Sequence, residues 1–158
     1  MTRTSRLIAA AALLLSAAPV FAAGPLRFFP LTPCRLIDTR STDAPALVGN
    51  ATRNFTVQGK CGIPVNAKAV AVNATIVGPN SDGYITLFPS GTAWPGTANL
   101  TFKANEPALG NGAIVPLSVS LPDLSILLFQ ASNTQHANVV VDGTGYFCSV
   151  DVNGACIP

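Results

Sequence analysis

Apolar and polar residues alternate along this chain in short runs, a pattern that is typical of β-strands. The clearest run is residues 67–77 (AKAVAVNATIV), where period-two spacing places alternate side chains on opposite faces of a strand. Further runs, rich in β-branched or aromatic residues, are bounded by proline, glycine and asparagine. They cover residues 35–40, 53–58, 84–88, 99–103, 113–118, 124–129 and 138–141. Because no stretch has a sustained helical period and proline recurs throughout, long helices are not expected.

Eight or nine short strands without helical crossovers predict an all-β protein, an antiparallel β-sandwich whose strand order is either immunoglobulin-like or jelly-roll-like. Asn80–Gly83 is expected to form a tight turn, because Asp-Gly suits hairpin turns that need positive φ. Residues 90–96 and 106–112 are predicted to be loops. Pro116 has no amide hydrogen to donate, so its strand should lie at a sheet edge or carry a bulge.

The first residues have the three-part layout of a secretory signal peptide. Arg3 and Arg6 precede an apolar run from Leu7 to Ala18, and small residues near Ala22 suit cleavage by a signal peptidase. The run is shorter than the ~20 residues that span a bilayer. We therefore expect a secreted or cell-surface protein without a membrane span. The expected organisation is a signal peptide at residues 1–22, a single β-sandwich domain at 23–147 and a short C-terminal extension at 148–158.

Charge excludes two classes of partner. Without Arg3 and Arg6, seven basic residues face seven acidic ones, and they form no basic stripe. Nucleic-acid binding needs such a stripe to neutralise phosphates, and attraction to an anionic membrane surface needs a polybasic patch. The expected partner is therefore an extracellular protein or glycan.

An even number of cysteines in an exported chain indicates two disulfides, and four cysteines allow three pairings. We favour Cys34–Cys61, which would link two early strands, and Cys148–Cys156, which would tie back the C-terminal extension. A zinc site is the competing interpretation. It is disfavoured because no C-x-x-C spacing occurs and His136 is the only histidine.

A group of charged residues is the first candidate site. Alternation places Asp38 and Arg40 on one face of a strand, and Asp142 lies in another strand. If the strands pair, Arg35 and Arg40 can neutralise the acids in a structural ion pair that fixes strand register. The alternative is a Ca²⁺ site built from the carboxylate oxygens. No other metal or cofactor is expected.

Catalysis has little support in the sequence. His136 with Ser125 or Ser132 would be needed for a Ser–His–Asp hydrolase, but no G-x-S-x-G motif is present. Asp82 before Gly83 is a turn former, so paired carboxylates for sugar cleavage are not evident either. We expect the chain not to be an enzyme.

Trp94 lies in a glycine- and proline-rich segment and is the candidate ligand-binding residue. An exposed indole can stack on a sugar ring or anchor a protein contact, and Asn99 and Asn105 could supply hydrogen bonds beside it. The competing interpretation is a loop that folds its tryptophan over the end of the sheet.

Several phrases of the sequence together resemble a β-sandwich module that recurs in secreted bacterial proteins, alone, in tandem or attached to exported enzymes. They occur in the order Phe29–Arg40 (FPLTPCRLIDTR), Cys61–Pro64 (CGIP), Val72–Thr75 (VNAT), Gly83–Thr86 (GYIT), Asn99–Phe102 (NLTF), Asn111–Leu117 (NGAIVPL) and Val139–Phe147 (VVVDGTGYF). The resemblance covers nearly the whole chain after residue 22. It implies an accessory, adhesive or surface-structural role and no catalytic residues.

The leading functional hypothesis is a non-catalytic secreted module with a structural, adhesive or surface-associated role. Because low charge leaves strand edges poorly protected, self-association through those edges is part of this hypothesis. A carbohydrate-binding module that uses Trp94 is the alternative, and a secreted hydrolase is a distant third.

Overall fold

The computed structural model describes residues 24–157, and ten β-strands make up its regular structure. The expected signal peptide lies outside the described residues. In chain order the strands are β1 (Arg27–Asp38), β2 (Leu47–Val48), β3 (Ala51–Phe55), β4 (Ala69–Val77), β5 (Gly83–Pro89), β6 (Leu100–Phe102), β7 (Ala108–Pro116), β8 (Leu124–Gln130), β9 (His136–Val150) and β10 (Cys156–Ile157). Within residues 24–157, no helix is long and apolar enough to cross a membrane.

The strands form two antiparallel sheets, which confirms the predicted β-sandwich. One sheet has the order β1-β9-β4-β7, and the two short strands β2 and β10 also pair with β9. The other sheet has the order β3-β8-β5-β6. Early strands pair with late ones in a nested series, β1 with β9, β3 with β8, β4 with β7 and β5 with β6. This nesting is the jelly-roll arrangement, so it decides between the two strand orders left open by the sequence.

The core lies between the two sheets and is built from one face of each strand. In β4, Val70, Val72, Ala74 and Ile76 are buried while Asn73 is exposed, as the alternation of residues 67–77 predicts. The facing sheet contributes eight more buried aliphatic or aromatic side chains to this core. They are Phe55, Ile85, Leu87, Leu100, Phe102, Leu124, Ile126 and Leu128.

Asn80–Gly83 does not form the expected hairpin, because β4 and β5 belong to different sheets and the chain crosses between them here. Gly83 has no positive φ. A Cβ at this position would lie 2.1 Å from the carbonyl oxygen of Phe129 on the neighbouring strand β8. Glycine is therefore required by the close approach of a backbone and not by a turn.

Other boundaries differ from the sequence expectation because strand pairing continues through weak β-formers. The predicted loop at 106–112 contributes its second half to β7, which pairs with β4 without interruption from Ala108 to Pro116. β7 is an edge strand, which confirms the placement predicted from Pro116. β9 runs beyond Phe147, the expected end of the domain, to Val150, where β10 pairs with it.

Both disulfides have the favoured pairing. Cys34 in β1 is bonded to Cys61 in the turn before β4, and Cys148 in β9 is bonded to Cys156 in β10. The first link joins positions 27 residues apart and the second joins positions 8 residues apart. Among the described residues no cysteine is free.

Asp123 is a buried carboxylate that the sequence analysis did not single out. Its Oδ1 accepts the amide of Val57 at 2.9 Å and its Oδ2 accepts the amide of Gln58 at 2.7 Å. Its own amide donates to the carbonyl oxygen of Phe55, and its carbonyl oxygen accepts the amides of Ser90 and Ser118. One fully buried residue therefore joins three segments at the end of the four-stranded sheet. A buried polar group is retained only where such partners compensate its lost hydration.

Replacing Asp123 with Ala should lower the free energy of unfolding by about 2–4 kcal/mol, since two buried amides lose their acceptor. Asp151→Ala is the matched control, because the Asp151 carboxylate also accepts two amides, those of Asn153 and Ala155, in an exposed turn where water can replace it. Its cost should stay within about 1 kcal/mol. Urea unfolding of the oxidised proteins measures both values, and equal losses would contradict the importance of burial.

Opening the two disulfides separately should have unequal effects. The Cys34→Ser, Cys61→Ser double variant releases the longer loop and should be less stable than the Cys148→Ser, Cys156→Ser variant by about 1 kcal/mol, because the entropy of an unfolded loop grows with its length. Thermal and urea unfolding of the two variants make the comparison. A larger loss from the C-terminal pair would show that the tail contributes native contacts beyond its link.

Candidate functional site

The polar residues predicted to form an ion pair lie together at the end of β1. Asp38 is largely buried, with its side chain 10% exposed. Arg40 contacts both of its oxygens, with Nε at 2.9 Å from Oδ1 and Nη2 at 2.7 Å from Oδ2. Arg35 Nη1 donates to Oδ2 at 2.6 Å, and its Nε donates to Asp142 Oδ1 at 2.5 Å. We call these four residues the ion cluster.

Strand pairing explains why the ion cluster assembles. Arg35 and Asp142 are direct partners in the β1–β9 register, so their side chains project from the same face of the sheet. The next residue beyond β1, Thr39, accepts the amide of Val139 at 2.9 Å and donates to Asn138 Oδ1 at 3.1 Å. The run Leu-Ile-Asp-Thr-Arg therefore fastens the end of β1 to β9.

The electrostatics of the ion cluster suit structure and not proton transfer. Hydrogen bonds from Arg40, together with the positive charges of both arginines, hold the pKa of Asp38 well below its usual range. The hydrogen bond to Asp142 raises the pKa of Arg35, and the one to Asp38 raises the pKa of Arg40. Asp38 stays ionised at neutral pH, where a general acid would need to hold a proton.

Arg35 lies between the two carboxylates of the alternative calcium site and bonds to both, so its positive charge occupies the place of the cation. Across residues 24–157, no group of three or more His, Cys, Asp or Glu side chains is placed to hold a metal ion. That the protein needs no cofactor stays a prediction.

The remaining catalytic candidates have separate partners. His136 pairs with Asn80, whose Oδ1 accepts the His136 amide at 2.8 Å while its Nδ2 lies 3.1 Å from Nδ1 of the ring. Ser125 donates to Asn54 Oδ1 at 2.8 Å and lies 3.1 Å from the hydroxyl of Ser90. Neither serine candidate is bonded to the histidine, since Ser132 bonds to Thr134.

Trp94 lies on the outer face of the four-stranded sheet as one of three nearly parallel rings. Tyr84 in β5 stacks on Phe129 in β8, with ring centroids 4.7 Å apart and planes at 12°. Trp94 also stacks on Tyr84, with ring centroids 6.3 Å apart and planes at 20°. Trp94 and Phe129 are 47% and 46% exposed. We call these three residues the aromatic surface.

The polar edge of the indole is satisfied within the protein. Trp94 Nε1 lies 3.3 Å from both Thr86 Oγ1 and the carbonyl oxygen of Thr97, so the ring is held against the sheet. A ring fixed in this way loses little conformational entropy when a partner stacks on it. The loop therefore folds Trp94 onto the sheet, although about half of the residue's surface stays exposed.

The two asparagines proposed to assist Trp94 serve the fold. Asn99 Oδ1 accepts the amide of Leu87 at 2.7 Å. Asn105 has a φ of 63°, and its amide donates to the carbonyl oxygen of Pro79 at 2.8 Å in the turn after β6. The aromatic neighbour of Trp94 is instead Tyr84, which in turn stacks on Phe129 because β5 pairs with β8.

Polar groups border the aromatic surface on the β6 side. Thr101 is exposed and lies directly opposite Tyr84 in the β5–β6 register. Lys103 Nζ lies 2.8 Å from Asp82 Oδ2. Their hydrogen bond lowers the pKa of Asp82 and raises the pKa of Lys103. An apolar centre beside charged and hydroxyl groups is the usual make-up of a binding surface.

Comparison with known proteins adds little to this description. No family model matches the chain, and no curated protein matches it. Among solved structures, the tobacco streak virus coat protein dimer is similar with a TM-score of 0.37 and 14% sequence identity, over 80% of this chain and 90% of that chain.

The ion cluster should make stability depend on pH on the acid side. Because folding lowers the pKa of Asp38, its contribution is complete above the unfolded value of about 4 and is lost as the pH falls towards the folded value. Asp38→Asn should therefore destabilise the protein at pH 7, and the gap from the original protein should shrink below pH 4. Urea unfolding between pH 7 and pH 2.5 measures the gap.

Asp82→Asn serves as the control for this pH series, since the Asp82–Lys103 pair is exposed and its effect should be much smaller. A loss for Asp38→Asn that is the same at every pH would contradict an ionic role for Asp38.

Proposed function

We propose that this chain is an exported, non-catalytic β-sandwich module with a structural or adhesive role, which holds other extracellular molecules by surface contact. The observation that carries the proposal is the aromatic surface, in which three parallel rings are fixed on an outer sheet face and two of them are almost half exposed. Exposed aromatic side chains that the scaffold holds rigidly are typical anchors of binding surfaces.

A non-catalytic role is supported by how the titratable side chains are used. Asp38 and Asp142 are bonded to arginines, and His136 is bonded to Asn80. These bonds stabilise strand ends, and none of them joins a serine or threonine hydroxyl to a histidine. Two disulfides support export, because such links persist in oxidising compartments.

Glycan is the ligand class that the aromatic surface favours. The apolar C–H face of a pyranose stacks on an aromatic ring, while its hydroxyls need donors and acceptors at the margin. Trp94 and Tyr84 offer the rings, Thr101 lies directly opposite Tyr84, and the Asp82–Lys103 pair supplies charged groups two residues away, at the ends of the same strands. An extracellular protein is the second candidate, since the same exposed rings can enter an apolar pocket of a partner.

The test is binding of the oxidised chain to arrays of bacterial and host polysaccharides and of extracellular matrix proteins, followed by titration of the best ligand. Trp94→Ala and Phe129→Ala should each weaken binding by at least about tenfold, as expected for anchor residues. Trp94→Phe should retain most of the affinity, because it keeps an aromatic ring.

Val119→Ala is the matched control, because Val119 is 85% exposed and is not part of the aromatic surface. Its affinity should equal that of the original protein. The proposal is refuted if the array shows no ligand of either class, or if the Trp94 and Phe129 variants bind with unchanged affinity. Selective loss of glycan binding in these variants supports a carbohydrate-binding module, and selective loss of protein binding supports adhesion to an extracellular protein.

A further inference from the structure

β7 is a long edge strand with one side open. All nine of its residues pair with β4 in a single uninterrupted register, and no other strand within residues 24–157 pairs with it. At about 3.4 Å per residue it presents roughly 30 Å of unpaired backbone. An open edge of this length is a template for another strand.

The other three sheet edges carry features that discourage such pairing. β1 is interrupted by two register shifts and contains Pro30 and Pro33. β3 has only five residues with Arg53 at its centre, and β6 has only three residues, followed by Lys103. Irregularity, proline, charge and short length are the usual protections of edge strands. β7 has no charged residue, and its only proline is its last residue.

The register with β4 shows which backbone groups of β7 are free. The amide of Leu117 donates to the carbonyl oxygen of Lys68, which continues the β4–β7 ladder by one pair. Hydrogen-bonded pairs alternate along antiparallel strands, so odd-numbered residues of β7 face β4 and even-numbered ones face outward. The outward set is Ala108, Gly110, Gly112, Ile114 and Pro116, all of them exposed. Pro116 fits because its missing amide would have pointed away from β4.

The side chains of this outward set are mostly small, so they do not block the approach of another strand to the open edge. Gly110 and Gly112 have none, whereas Ile114 is 65% exposed. Asn111, on the other face, turns its amide to the carbonyl oxygen of Asn99 at 2.6 Å and so lies away from the outer face. The strand therefore combines free donors and acceptors with one large apolar side chain that has no partner.

We infer that two copies of this chain associate by antiparallel pairing of β7 with β7, centred on Gly112. In this register the two Gly112 residues face each other, and Ile114 of each copy lies opposite Gly110 of the other. The missing side chain at position 110 gives room for the isoleucine, so the edge is complementary to itself. About eight backbone hydrogen bonds would form, and the two six-stranded sheets would become continuous.

A second copy is the partner that this geometry fits best. Two-fold symmetry requires one surface to complement itself, and a strand paired about its central residue meets that condition. The inference is independent of the proposed function, since the aromatic surface lies on the other sheet, on β5 and β8. Dimerisation would double the number of aromatic surfaces available to an extended ligand.

The test is sedimentation equilibrium and light scattering of the oxidised chain from about 5 to 500 μM, a range that covers weak association. A monomer–dimer equilibrium is expected for the original protein. Gly112→Lys should shift it to monomer, because two lysines would face each other at the symmetry axis. The substitution fits the fold, since a Cβ at Gly112 would meet only the carbonyl oxygen of Val72, at 4.0 Å.

Thr52→Lys is the matched control, because it places the same charge at an exposed position on the other sheet's edge strand, β3, and should leave the dimer intact. Mixing Gly112→Lys with Gly112→Glu should restore dimers of one copy of each, because the pairing then joins opposite charges. Both variants should keep the circular dichroism spectrum of the original.

A strictly monomeric original protein at 500 μM would overturn the inference, and so would dimers of Gly112→Lys as tight as the original. Trp94→Ala should dimerise normally, and Gly112→Lys should bind a short soluble ligand normally. The two experiments therefore distinguish a failure of the dimer inference from a failure of the proposed ligand binding at the aromatic surface.

Discussion

The pairing of β1 with β9 closes the chain on itself, and the rest of the sandwich depends on it. These strands are about one hundred residues apart in sequence, so joining them costs considerable chain entropy. Local contacts repay that cost at the end of β1, where Arg35 meets Asp142 and Thr39 binds Val139. Once β1 and β9 are joined, β3 with β8 and β4 with β7 follow as inner pairs of the same nested series.

Pairing of β1 with β9 encloses the core and leaves two chemically different surfaces exposed. The interior is aliphatic and holds few polar groups, of which Asp123 is fully bonded. One exterior is the outer face of the four-stranded sheet, where Tyr84 and Phe129 stack because their strands are adjacent. The other is the margin of the six-stranded sheet, where β7 ends the hydrogen-bonded order. A scaffold of this kind can act through its surfaces without any change in its core.

Three of the ion pairs within residues 24–157 share one strand end, that of β1. Asp38 binds two guanidinium groups, so these charges fix the end of β1. Because charged residues are few, β7 has no lysine or arginine of the kind that usually discourages pairing of an edge strand with another chain. The low charge of the chain is therefore one reason why the edge at β7 is open to pairing.

The sequence by itself determined the strand content and the faces of β4, limited the strand of Pro116 to an edge or a bulge, and predicted the grouping of Asp38 with its arginines. Each of these follows from local alternation or from the chemistry of one residue. The tertiary structure decided the jelly-roll order, the stacking of Tyr84 with Phe129 and the reason for Gly83. These depend on which strands become neighbours, and Gly83 is set by the backbone of β8, 46 residues further along the chain. Contacts between distant strands leave no periodic trace in the sequence, and for that reason the partners of Trp94 could not be inferred from it.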